Sequence, residues 1–118
     1  MRIIPGLIAA AAISIGGPAL AHPALTAANP AANAVVASPA AIKMTFSEAP
    51  FPKFSGVTLT DAAGKKVALG PLAISPTDKK QLVVPVKAPL KAGLYKVDWF
   101  AVAGDTHRVT GKYSFTVK

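Results

Sequence analysis

Past its first twenty or so residues the chain alternates apolar and polar positions in short runs, cut by Pro, Gly and Asn. That two-residue period is the mark of half-buried β-strands, and a helical period is nearly absent. Ile42-Lys43-Met44-Thr45-Phe46 puts Ile42, Met44 and Phe46 on one face. Val57-Thr58-Leu59-Thr60 repeats the pattern, and Ala62-Ala63-Gly64-Lys65 is predicted to turn it into a strand at Val67-Ala68-Leu69. Gln81 to Val86 reads as another strand, with Pro85 at an edge or a strand end because proline cannot donate to a ladder. In the strongest segment, Leu94 to Val102, Tyr95, Val97, Trp99 and Ala101 share one face, with Lys96 and Asp98 on the other. Lys112 to Val117 closes the chain with Tyr113, Phe115 and Val117 alternating against polar residues. Gly93-Leu94-Tyr95 at a strand start resembles a tyrosine corner, in which the phenol closes the preceding turn. The prediction is all-β: an immunoglobulin-like Greek-key β-sandwich of about seven strands, with Trp99 in its core.

The first residues follow a different rule. Arg2, an apolar stretch from Ile3 to Ile15, a Gly16-Gly17-Pro18 break and Ala19-Leu20-Ala21 read as a secretory signal peptide cleaved after residue 21. The stretch falls short of the roughly 20 apolar residues that span a bilayer. Residues 1–21 are therefore assigned to the signal, and 22–118 to one small sandwich domain in the periplasm. Cleavage lowers the formal charge from +8 only to +7, since Arg2 alone is lost. The lysines are scattered singly or in pairs, without a basic run interleaved with aromatics, so no nucleic-acid partner is expected. With no cysteine, the fold rests on its core, and thiolate metal sites and cysteine nucleophiles are excluded.

Processing at residue 21 makes His22 the first residue, so one side chain and one free α-amine form a chelate. The other histidine, His107, stands two residues after Asp105. If that segment is extended, the two project to the same side. Taken alone, Asp-x-His in a polar loop describes an ordinary surface turn. Its meaning changes beside a processed histidine. Pro23 has no N–H for a metal to displace, so only the amine and the imidazole are offered from this end. The amine titrates near about 7.7–8.0, within reach of displacement by a metal at neutral pH. Three nitrogens and one oxygen suit Cu(II), less tightly Ni(II). Zn(II) fits the ligand types too, but the Irving–Williams order favours copper. Cu(I) wants soft sulfur ligands, and Met44 alone cannot supply them, so no dedicated Cu(I) site is expected.

At these residues the chain resembles the CopC-like periplasmic copper-binding proteins of copper resistance and homeostasis. The landmarks are His22-Pro23-Ala24-Leu25, Ile42 to Glu48, Phe54-Ser55-Gly56-Val57-Thr58-Leu59, Ala92 to Trp99, and Asp105-Thr106-His107-Arg108-Val109-Thr110-Gly111 leading into Tyr113-Ser114-Phe115. The resemblance implies one Cu(II) per chain on His22, Asp105 and His107, with Glu48 as a weak or outer-sphere contact. It also implies a CopD-like inner-membrane importer as recipient. The chain departs from the family pattern in two places. Asp105-Thr106-His107-Arg108 stands where many members have Asp-Gly-His-Pro, and Trp99-Phe100 where many have Trp-Arg. The methionine-rich loop of members with a Cu(I) site is missing.

The expected function is a monomeric copper buffer or carrier rather than an enzyme. Two alternatives were weighed. A histidine-brace copper oxygenase would need an open metal face and a broad aromatic surface, whereas Asp105 would fill a coordination position here. A metal-free structural sandwich would bind no copper saturably.

Overall fold

Alternation decides the fold by fixing which face of each strand is buried. The computed structural model describes residues 23–104 and 106–118 and carries eight strands: β1 (Leu25–Asn29), β2 (Val35–Val36), β3 (Ala41–Phe46), β4 (Gly56–Asp61), β5 (Ala73–Ser75), β6 (Asp78–Pro85), β7 (Gly93–Val102) and β8 (Arg108–Val117). They form two four-stranded sheets, ordered β1-β3-β6-β5 and β2-β8-β7-β4. Ile42, Met44 and Phe46 from β3 meet Leu59, Val97, Trp99, Ala101, Phe115 and Val117 from the second sheet, all buried. The predicted all-β sandwich is the observed one, with an eighth strand of only two residues that runs parallel to β8.

Trp99 is 7% exposed and sets its indole edge-on to Phe46, with centroids 5.2 Å apart at 69°. Its cross-strand partner is Gly111, where an added Cβ would come within 2.4 Å of the indole. Glycine there makes room for the ring. The tyrosine corner is present as well. The Tyr95 hydroxyl donates to the Lys91 carbonyl at 2.7 Å, and its ring stacks on Phe115. Tyr113 differs: its hydroxyl is buried without a hydrogen-bond partner. Burial of the phenol pushes its pKa up from 10.0 to about 12.

Two local readings change. Val67-Ala68-Leu69 is not a strand. The segment makes single bridges, Thr60 to Lys66 and Leu69 to Val86. These lie beside different sheets, so a segment crossing between sheets builds no ladder with either. β8 begins at Arg108, four residues before the predicted start, because it pairs with β7 along its full length from Gly93↔Val117 to Val102↔Arg108. Of the two places predicted for Pro85 the structure takes the strand end: it closes β6, which lies between β3 and β5. The predicted turn at 62–65 is present: the Asp61 carboxylate accepts the N–H groups of Ala63 and Lys65, each at 2.9 Å, and Gly64 takes φ 82°.

Candidate metal centre

β7 and β8, ten residues each, form the longest hairpin of the fold, and residues 103–107 are its tip. The Thr106 N–H donates to the Ala103 carbonyl at 2.7 Å, closing the turn tightly. Thr106 holds φ 64°, a left-handed angle that a β-branched residue adopts only against steric resistance. His107 follows it and is exposed.

A second segment is tied to this tip. After β3 the chain runs through Ser47-Glu48 to Phe51, whose N–H donates to the Val102 carbonyl at 2.8 Å. The Val102 N–H in turn donates to Ser55 Oγ at 3.2 Å, and that hydroxyl donates to the Phe51 carbonyl at 2.8 Å. The result brings Glu48 to the hairpin tip: its Oε1 lies 4.0 Å from where a Gly104 Cβ would stand. That separation is ordinary van der Waals contact, which makes Glu48 and Gly104 neighbours.

The start of the domain reaches the same place. β1 pairs antiparallel with β3, with Leu25 opposite Phe46. One residue beyond that pair, the Ser47 N–H donates to the Ala24 carbonyl at 2.8 Å. The Ala24 N–H returns a bond to Ser47 Oγ at 2.9 Å. Pro23 is fully buried. Pro23-Ala24, Ser47-Glu48 and the 103–107 tip therefore gather at one end of the sandwich.

Of the four predicted site residues, His107 and Glu48 are described and belong to this end. His22 and Asp105 lie outside the described residues, as does the predicted signal. Among the described residues, no three His, Asp or Glu side chains gather as a metal-holding group. What the structure contributes is the framework: the residue before His107, the carboxylate of Glu48 and the residue after His22. In the sequence Ser47 stands out only as one letter of the Ile42 to Glu48 run. Its signal was available as a hydroxyl residue at a strand end, but its partner is 23 residues away.

An apolar groove of about 460 Å³ flanks the tip, lined by Phe51, Phe54, Val102, Thr106 and Arg108. On the outer face of the second sheet, the Arg108 guanidinium lies 4.0 Å over the Phe100 ring. That ring in turn covers Gly56, where a Cβ would come within 2.5 Å of it.

Residues 25–118 match the CopC domain. The chain belongs to the CopC family. It is 41% identical to copper resistance protein C of Escherichia coli over 119 aligned positions, covering 96% of this chain and 91% of that one. Its identity to copper resistance protein C of Pseudomonas syringae pv. tomato is 40%, covering 92% and 90% of the two chains. The fold superposes on the crystal structure of PcoC, a methionine-rich copper resistance protein from Escherichia coli, with a TM-score of 0.77. That match is 44% identical and covers 83% of this chain and all of the other.

Two of the places where this chain departs from the CopC family pattern are in contact, and a third keeps its backbone angle. Thr106, in the place where many members carry glycine, keeps a glycine-like backbone angle. Phe100 and Arg108, at two positions that differ from the pattern, are in contact as ring and cation. Met44 is fully buried in the core, so its thioether is closed off from the surface.

Proposed function

We propose that the exported, processed protein binds one Cu(II) in the periplasm through the His22 amine and imidazole, Asp105 and His107, with Glu48 as a weak or outer contact. It would then buffer the ion or carry it to a CopD-like membrane importer, acting as a monomer. The observation that carries this reading is the convergence at one end of the sandwich. Buried Pro23 and the Ala24–Ser47 pair adjoin Glu48, Glu48 adjoins Gly104, and Gly104 and Thr106 flank position 105. Membership of the CopC family and relatives named copper resistance proteins make copper the cargo to test first.

The ligand chemistry fits. An amine, two imidazoles and a carboxylate are the borderline and hard donors that a tetragonal Cu(II) accepts. Cu(I) would need sulfur, and the mature chain's one methionine, Met44, is enclosed by the core. Carriage is favoured over oxygenase chemistry because a carboxylate beside three nitrogens closes the plane that an oxygenase leaves open. No helix among the described residues is long and apolar enough to cross a membrane, and the cleaved leader accounts for export.

Titration of the mature protein with Cu(II) tests the reading. One equivalent is expected, with an axial EPR spectrum showing nitrogen coupling. Retaining a single residue before His22, or replacing His107 with Ala, is expected to weaken binding by at least about tenfold, since each removes a donor. Equal affinity in the extended form would overturn the assignment.

A further inference from the structure

We propose that Ser47 is a positioning residue for the metal end, acting on His22 through Ala24. The proposal rests on the copper reading above and adds a residue to it. Two bonds join Ser47 to Ala24 in opposite directions: its N–H donates to the Ala24 carbonyl at 2.8 Å, and its Oγ accepts the Ala24 N–H at 2.9 Å. The first bond extends the β1–β3 ladder by one step beyond Leu25↔Phe46. The second is made by a side chain. The hydroxyl takes the place that a backbone carbonyl would hold in a continued ladder. Ala24 is exposed, so without the hydroxyl its N–H would turn to water, and only the carbonyl bond and buried Pro23 would direct the residues before it.

Position matters here because the proposed donors come from three distant parts of the chain. Residue 22 is one peptide unit from buried Pro23 and two from the doubly bonded Ala24. Proline's fixed φ stiffens that step. A hydroxyl that holds Ala24 therefore restricts where an amine and an imidazole at residue 22 can go. Glu48, the next residue after Ser47, faces Gly104. One dipeptide thus aims both ways, with Ser47 toward the first residue of the domain and Glu48 toward the hairpin tip. Removing a group that orients a metal ligand typically costs about 10–100-fold in affinity while leaving the ligand set unchanged.

The test compares mature wild type, Ser47→Ala and Ser47→Thr with copper-free and copper-loaded readouts. In the copper-free state, hydrogen exchange at the Ala24 amide is expected to speed up in Ser47→Ala and return toward wild type in Ser47→Thr, which restores a hydroxyl. Melting temperature is expected to stay within a few degrees, because the bond is exposed and the core is untouched. With Cu(II), competition against a chromophoric chelator is expected to show Ser47→Ala about tenfold weaker, with a broadened or second EPR species, and Ser47→Thr close to wild type. Wild type that binds Cu(II) with Ser47→Ala equal to it in affinity and EPR spectrum would overturn the positioning role alone. A mature wild type that takes up no copper would overturn the function and the role together. Slow Ala24 exchange retained in Ser47→Ala would overturn the role whatever the copper result.

Discussion

Thr106 holds a backbone angle that its own side chain resists. At φ 64° a β-branched residue is strained by about 1–3 kcal/mol, and the turn bond to Ala103 and the β7–β8 ladder on either side are what enforce it. Thr106→Gly would relieve that strain but give the unfolded chain more freedom, a counter-term of about 0.4–1 kcal/mol. A net gain between zero and about 2.5 kcal/mol is expected, read from urea unfolding of the copper-free protein. A loss would mean that the threonine side chain contributes to the tip. A candidate ligand set can be read at this scale because ligand type is a property of single residues. Two histidines, one aspartate and a cleavage pattern were enough to suggest an ion. The arrangement was not legible, because it depends on pairs such as Ala24 with Ser47 and Glu48 with Gly104, which sequence spacing does not connect.

At the scale of strands, alternation revealed those buried on one face and missed those held by hydrogen bonds alone. β3, β7 and β8 carry apolar residues at every second position, and each was legible. β1 is Leu-Thr-Ala-Ala-Asn with little burial; only the β3 edge makes it a strand. β5 is three residues long, too short for a period to show. The same pairing logic gives Gly111 its importance. Gly111→Ala places a methyl where the Trp99 indole lies, and either the ring or β8 must shift. A destabilisation of about 1–3 kcal/mol is expected, as for other overpacked cores. Thermal or urea unfolding measures it, and near-ultraviolet dichroism would report the displaced indole. An unfolding midpoint unchanged from wild type would show that the strand slides freely there.

For the molecule as a whole, a domain of this size without disulfides depends on how well one core is filled and satisfied, and among the described residues Tyr113 carries a buried hydroxyl without a partner. A phenol whose folded pKa rises from 10.0 to about 12 keeps its proton longer when folded than when unfolded. Its contribution is therefore fully present below pH 10 and lost as pH climbs from about 10 to about 12, because the unfolded chain ionises first. Tyr113→Phe is expected to flatten the part of that alkaline decline which belongs to this residue. At neutral pH it should cost nothing or stabilise slightly, since the hydroxyl removed had no partner. Unfolding midpoints at pH 9 and 11 for both proteins check this; parallel alkaline slopes would assign the decline to other groups. The packing of Trp99 carries one more consequence. It is the protein's single tryptophan, enclosed by Phe46 and Gly111 on the strand that leads into the hairpin tip. One native fluorophore thus stands between the core and the loop, and its emission can follow both unfolding and quenching by a paramagnetic ion in unlabelled protein.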